Sequence, residues 1–179
     1  MRFSNIPGRF SADYMLRGAQ HHHVQLSAMA DQKANIIIGF SSVILSVGIT
    51  QIGGERILWA VPVLIVFAGV ALIFAIQAVT PRFRLKEHPD RKAMANPLFF
   101  GHFTDLSLDE YEQEMEQILA DDAAIYRTVV RDIYQLGQLL KYKKYRYLAL
   151  SYRVLWVGVV ATLAVLITQL ALRALGFAV

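Results

Sequence analysis

The chain has 179 residues, 55% hydrophobic and 18% charged, with a mean hydropathy of +0.39; this excludes a disordered chain and is too apolar for an ordinary soluble domain of this size. It has no cysteine, which excludes a disulfide framework, a thiolate zinc site and a cysteine nucleophile, and leaves any metal to His, Asp or Glu. The formal charge of +4 is modest, so what matters is where the 18 Lys and Arg lie along the chain.

Residues 1–33 read as an N-terminal cytoplasmic helix that runs into the first apolar stretch. Ala19, His22, Leu26, Met29, Lys33 and Ile36 recur at steps of three and four, the stripe expected of a helix packed on another helix. No apolar signal-peptide core precedes the first span, which is expected to act as its own anchor. His21, His22 and His23 suggest metal binding, but successive helical residues point about 100° apart and cannot all reach one ion. No metal site is assigned. Ala30-Asp31-Gln32-Lys33-Ala34 opens the first span, with Asp31 and Lys33 as candidates for coupling at the membrane interface. Lys33 could equally snorkel to the headgroups.

Residues 34–79 read as a transmembrane hairpin, with spans at 34–52 and 57–79 and an external turn at Gly53-Gly54-Glu55-Arg56. A third span is expected at 154–172, within a segment 154–179 that includes an external tail. The spans have 19, 23 and 19 residues without a charge, close to the roughly 20 needed to cross a hydrocarbon core. In the first, Asn35, Gly39, Ser42 and Ser46 share a face suited to close helix packing, or to lining a pore if several chains assemble. Sixteen of the 18 cations lie before the first span or between Arg82 and Arg153. Retention of cations on the cytoplasmic side then gives a multi-pass membrane protein with its N-terminus cytoplasmic and its C-terminus external.

Residues 80–107 form the cytoplasmic connection, expected to be irregular over 81–106 because Pro81, Pro89 and Pro97 interrupt it. Ser107 and Glu110 have the spacing of a capping box. The stalk helix, 108–153, begins there. Leu108, Tyr111, Met115, Ile118, Asp122, Ile125, Val129, Ile133, Leu136 and Leu140 repeat at coiled-coil-like spacing. No proline interrupts 108–172, so one continuous helix of about 65 residues is expected, on the order of 95 Å long. The fold class is an all-α membrane protein with long cytoplasmic helical extensions forming a stalk, assembled as a homo-oligomer. Lys141-Tyr142-Lys143-Lys144-Tyr145-Arg146-Tyr147 interleaves cations with tyrosines at the interface, suiting anionic lipid headgroups or the phosphate and base of a nucleotide.

No phosphate-binding loop, dinucleotide fingerprint, nucleophile elbow or zinc-protease motif is present, so no catalytic residue is assigned and no enzymatic activity is expected. The Ala-Asp-Gln-Lys-Ala box, the segment Asn96-Pro97-Leu98-Phe99-Phe100-Gly101-His102-Phe103, the run Arg131-Asp132-Ile133-Tyr134-Gln135-Leu136-Gly137 and the following Lys144-Tyr145-Arg146 together resemble the transmembrane effector of Pycsar antiphage systems. The resemblance implies a membrane effector activated by cyclic UMP or cyclic CMP from a partner cyclase, which impairs the inner membrane and aborts infection. Cofactors beyond that ligand, and nucleic-acid partners, are not implied. Some relatives carry a hydrolase domain before the first span, and the short segment here does not carry that activity over.

On this reading Arg131, Lys141, Lys144 and Arg146 could neutralise the phosphate. Asp132, Asn96 or His102 could read the base edge, and Tyr134, Phe99 or Phe100 could stack on it, although Phe99 and Phe100 fit better as an aromatic plug against the stalk. Two alternatives stay open: a constitutive oligomeric channel or structural membrane subunit without a nucleotide trigger, and a divalent-metal sensor acting through the histidines. Oligomer number, the preferred pyrimidine, and pore opening against bilayer rupture are not legible in the sequence.

Overall fold

The computed structural model describes residues 9–52, 59–80 and 96–176. Every regular element among them is helical: α1 (Arg9–Ile52), α2 (Ala60–Val79), α3 (Phe100–Phe103), α4 (Leu108–Leu119), α5 (Asp122–Leu139), a π-helical segment (Leu140–Tyr145) and α6 (Arg146–Ala174). The expected Gly53–Arg56 turn and the connection as far as residue 95 lie outside the described residues.

Three helices are long and apolar enough to cross a membrane, with α1, α2 and α6 supplying the stretches. The second ends for a local reason. Thr80 adopts an extended ψ of 121°, as expected for a residue before proline, because the Pro81 ring disfavours helical geometry at its predecessor. Pro62 is tolerated in the first turn of α2, where its missing N–H would have had no intrahelical acceptor.

The chain divides into two compact units, one of residues 1–28 and 81–142, the other of 29–80 and 143–179. In the second, α2 turns Ala60, Ala68, Ala71, Ala75 and Ala78 inward. Ala75 and Ala78 pack with Ala30, Ala34 and Ile37 of α1 and Leu148 of α6. Small residues let backbones approach, which matters in lipid because tails and side chains are equally apolar and association rests on packing. Gly158 of α6 lies against Phe67, and Gly48 of α1 against Ile65. Gln169, buried on α6, accepts a hydrogen bond from the Trp59 N–H at 3.1 Å and satisfies a donor at the start of α2.

The inward stripe of α1 is offset by one residue from the expected one. Ala30, Ala34, Ile37 and Ser41 are buried, whereas Met29, Lys33 and Ile36 are exposed. Both sets have the same three-four period, but alanine and serine permit closer contact than methionine and lysine. The Asn35, Gly39, Ser42 and Ser46 face is exposed within the chain, with nothing near Gly39. Ser42 and Ser46 donate to the carbonyls of Ile38 and Ser42, so their hydroxyls are satisfied within α1.

In the first unit, the single helix expected from Leu108 onward is interrupted at Ala120–Asp121. Asp121 is extended (φ −133°, ψ 117°) and its carboxylate accepts from the Ala123 N–H at 3.1 Å, capping α5. A local acceptor for orphan helix donors therefore overrides the three-four repeat. The expected capping box is present at the start of α4: the Ser107 hydroxyl accepts from the Glu110 N–H, and the Glu110 carboxylate accepts from the Ser107 N–H at 2.8 Å. Donation to the carboxylate from the Ser107 N–H, and from the Ser107 hydroxyl at 2.8 Å, holds the Glu110 carboxyl below the usual carboxylate range. The connection is not wholly irregular: α3 forms one helical turn, and Phe103 tilts against Tyr111 of α4 at 5.6 Å between ring centroids.

Candidate functional site

Two polar clusters stand out, one in each unit. In the first unit, α5 presents Asp132 and Gln135 three residues apart, hence on one face. Asp132 accepts a hydrogen bond from the Gln20 side-chain amide of α1 at 2.9 Å, and burial pushes its carboxyl above the ordinary range while that bond partly offsets the effect. Gln135 is buried and its carbonyl oxygen accepts from the Asn96 amide at 3.0 Å. Asn96 is fully buried, and its own oxygen accepts from the Leu98 N–H at 3.1 Å, an Asx-type turn that carries the chain into α3. Three amides and a carboxylate so placed offer in-plane donors and acceptors.

The remaining candidates of this unit lie at different depths. His102 is partly buried, and its Nε2 atom is enclosed without a hydrogen-bond partner among the described residues. Arg131 is partly buried, whereas Tyr134 is 59% exposed. Phe99 is buried, and Phe100 is half exposed with its ring edge-on to Phe103 at 5.8 Å between centroids. Lys141 is exposed, with its ammonium 5.1 Å from the Tyr142 ring centroid.

Sequence reasoning passed over three contributors here. Gln20 and Gln135 are polar residues at inward helical positions. His23, rather than His22, is the inward histidine; its Nδ1–H can donate to the Ala19 carbonyl oxygen at 2.7 Å, while Nε2 lies 3.3 Å from where a Cβ on Gly137 would stand. The absence of a Cβ at Gly137 therefore makes room for the imidazole. Asp13 of α1 accepts from the Tyr126 hydroxyl of α5 at 2.8 Å, a second polar tie between these helices. Among the described residues no three His, Asp or Glu side chains converge to hold a metal ion.

In the second unit the cluster is ionic. The Lys144 ammonium reaches both Asp31 carboxylate oxygens, at 2.7 and 2.6 Å. Lys144 belongs to the π-helical segment, a wider turn that often marks functional positions. Lys33 and Arg146 are exposed. Thus the sequence-selected ligand residues separate: Asn96, His102, Arg131, Asp132, Tyr134 and Lys141 fall in the first unit, Lys144 and Arg146 in the second.

No curated protein and no solved structure matches the chain. A family model described as the Pycsar effector protein domain matches residues 14–171, taking in all three membrane-length helices and both polar clusters. The chain therefore belongs to the Pycsar effector family, and is a multi-pass membrane protein of antiphage defence.

Proposed function

We propose that this protein is an effector switched on by a cyclic pyrimidine mononucleotide, cyclic UMP or cyclic CMP, made by a partner cyclase on infection. The observation that carries the reading is the amide and carboxylate cluster of Gln20, Asp132, Gln135 and Asn96, the last two buried, in a family of Pycsar effectors. A pyrimidine edge presents carbonyl oxygens, a ring nitrogen and, in cytosine, an exocyclic amine, which such groups can match. Arg131 and Lys141 would meet the phosphate, with Tyr134 available for stacking on the base. His102 would supply a further ring nitrogen.

The bound ligand acts by favouring one packing of the helices over another, since an equilibrium moves only as far as affinity for the two states differs. α1 runs without a break from Arg9 to Ile52, so residues on both sides of the unit boundary share one helix. The outcome of activation is impaired integrity of the bacterial inner membrane by a homo-oligomer, with the N-terminus cytoplasmic and the C-terminus external. The distribution of cations supports that orientation. The reading assigns no catalytic step to any residue.

Titration calorimetry of the detergent-purified protein with cyclic UMP, cyclic CMP and cyclic AMP tests the trigger. Saturable binding selective for a pyrimidine is expected. Absence of binding by both pyrimidine nucleotides overturns this reading and favours a second one, a constitutive oligomeric channel or structural subunit. The exposed Asn35, Gly39, Ser42 and Ser46 face, built of small residues, leaves room for another copy under either reading.

A further inference from the structure

We infer that the face of α6 carrying Arg146 and Arg153 binds the phosphate headgroup of an anionic phospholipid. Arg146, Ala149, Arg153, Trp156, Val160 and Leu163 follow one another at steps of three and four, and all are exposed. The buried residues of α6, Leu148, Ser151, Gly158 and Gln169, lie elsewhere on its circumference. Because α6 is a membrane-length helix, the apolar lower part of the exposed face meets lipid tails. Arg146 and Arg153 continue that face upward, and Arg153 is the last charge before the uncharged stretch 154–172. The two arginines therefore stand at headgroup level and point toward lipid.

Charge then decides the ligand. α6 contains no Asp or Glu, and Asp31 is the one carboxylate among the described residues of its unit. Lys144 already holds it through both oxygens. No acidic side chain is left within the described unit to pair with Arg146 and Arg153, whereas a phosphate accepts two parallel N–H bonds from a guanidinium. Seven residues separate them, about 10 Å along the axis, comparable with the depth of a headgroup layer. Ala149 between them has no side chain beyond Cβ, which leaves the space open. Trp156, 68% exposed one turn further into the bilayer, is the amphipathic ring expected at the glycerol level.

A lipid headgroup and a free nucleotide offer the same phosphate chemistry, and the test separates them. Full-length protein is reconstituted in mixed phosphatidylglycerol and phosphatidylcholine nanodiscs, and retained lipids are counted by native mass spectrometry. Phosphatidylglycerol is expected to be enriched. Arg146→Gln with Arg153→Gln should lower that enrichment on the order of tenfold, while Arg146→Lys with Arg153→Lys should retain part of it. Unchanged enrichment in the glutamine variant overturns the proposal, as does displacement of phosphatidylglycerol by added cyclic UMP. Should that variant fail to fold, quenching of Trp156 in Trp59→Phe protein gives an independent reading. Brominated phosphatidylglycerol should quench more strongly than brominated phosphatidylcholine at equal mole fraction, and equal quenching sinks the idea.

Discussion

Lys144 and Asp31 are 113 positions apart in the chain, yet the ammonium of one lies within 2.7 Å of both carboxylate oxygens of the other. The pair ties α1 to the π-helical segment, and it is partly shielded: the Lys144 side chain is 20% exposed and that of Asp31 40%. Water at Asp31 screens the attraction, so a coupling of about 1 kcal/mol is expected rather than the larger value of a dry pair. In a double-mutant cycle of Asp31→Asn and Lys144→Gln, thermal unfolding in detergent should show the double variant less destabilised than the sum of the singles. Strict additivity would falsify the coupling.

Gly158 and Gly48 make contrasting predictions. A Cβ at Gly158 would meet Phe67 at Cβ and, at 2.8 Å, at Cγ, atoms close to the α2 backbone that cannot swing away. At Gly48 the obstructing atoms are Cγ1 and Cδ1 of Ile65, at 2.7 and 2.8 Å, and this aliphatic end can change rotamer. Gly158→Ala should therefore lower stability by about 1–3 kcal/mol, and Gly48→Ala by distinctly less. Equal losses in matched unfolding experiments would count against a backbone-limited contact between α2 and α6.

Asp132 should impose a pH dependence of known sign. Its carboxyl is raised in the folded chain by burial, so the folded state holds a proton that the unfolded state has released, from the ordinary carboxylate range around 3.8 up to the raised value. Stability consequently falls as pH rises through that interval. Asp132→Asn should flatten this part of the melting-temperature profile without loss at neutral pH, because the amide oxygen introduced there can still accept from Gln20. Gln20→Leu removes the bond that lowers the carboxyl and should steepen the fall. An unaltered profile in both variants would show that the carboxyl titrates normally.

Asn96 and Gln135 are both buried and hydrogen-bonded to one another, so truncating one removes that bond from the other. Asn96→Ala should cost about 1–3 kcal/mol, from loss of the bond to the buried Gln135 together with the lost turn bond to Leu98. Asn96→Ala combined with Gln135→Leu should recover part of that loss. Hydrogen exchange at the α5 amides gives the measurement, and greater protection in the single variant than in the pair would contradict the arrangement.

The sequence carried the membrane-length helices clearly, because an uncharged run of about 20 residues has few other uses. The capping box at Ser107 and the end of α2 before Pro81 were also legible, since each rests on the chemistry of neighbouring residues. The phase of α1 was harder to read. Its two neighbouring stripes have equal periodicity, and only the closeness of the helices favours Ala30, Ala34 and Ile37 over Met29, Lys33 and Ile36. The break at Asp121 was hidden because a capping aspartate also suits the surface of a longer helix. The π-helical segment has no composition of its own in Leu140–Tyr145. Asp132 and Asn96 were selected from the motifs, but pairing Asp132 with Gln20 of α1, and Asn96 with Gln135 of the Asp132 run, needed the three-dimensional arrangement.

The alanine face of α2 also has a mechanical meaning. Side chains ending at Cβ add little relief, so Ala68, Ala71, Ala75 and Ala78 form a smooth rail against which neighbouring helices meet little resistance to axial displacement. Resistance is concentrated where the surface is rough: at Phe67 on Gly158, at Ile65 on Gly48, and at the Trp59 to Gln169 bond. The membrane unit thus combines low friction over most of α2 with a few detents, and the depth of those detents sets how much work sliding the helices would require.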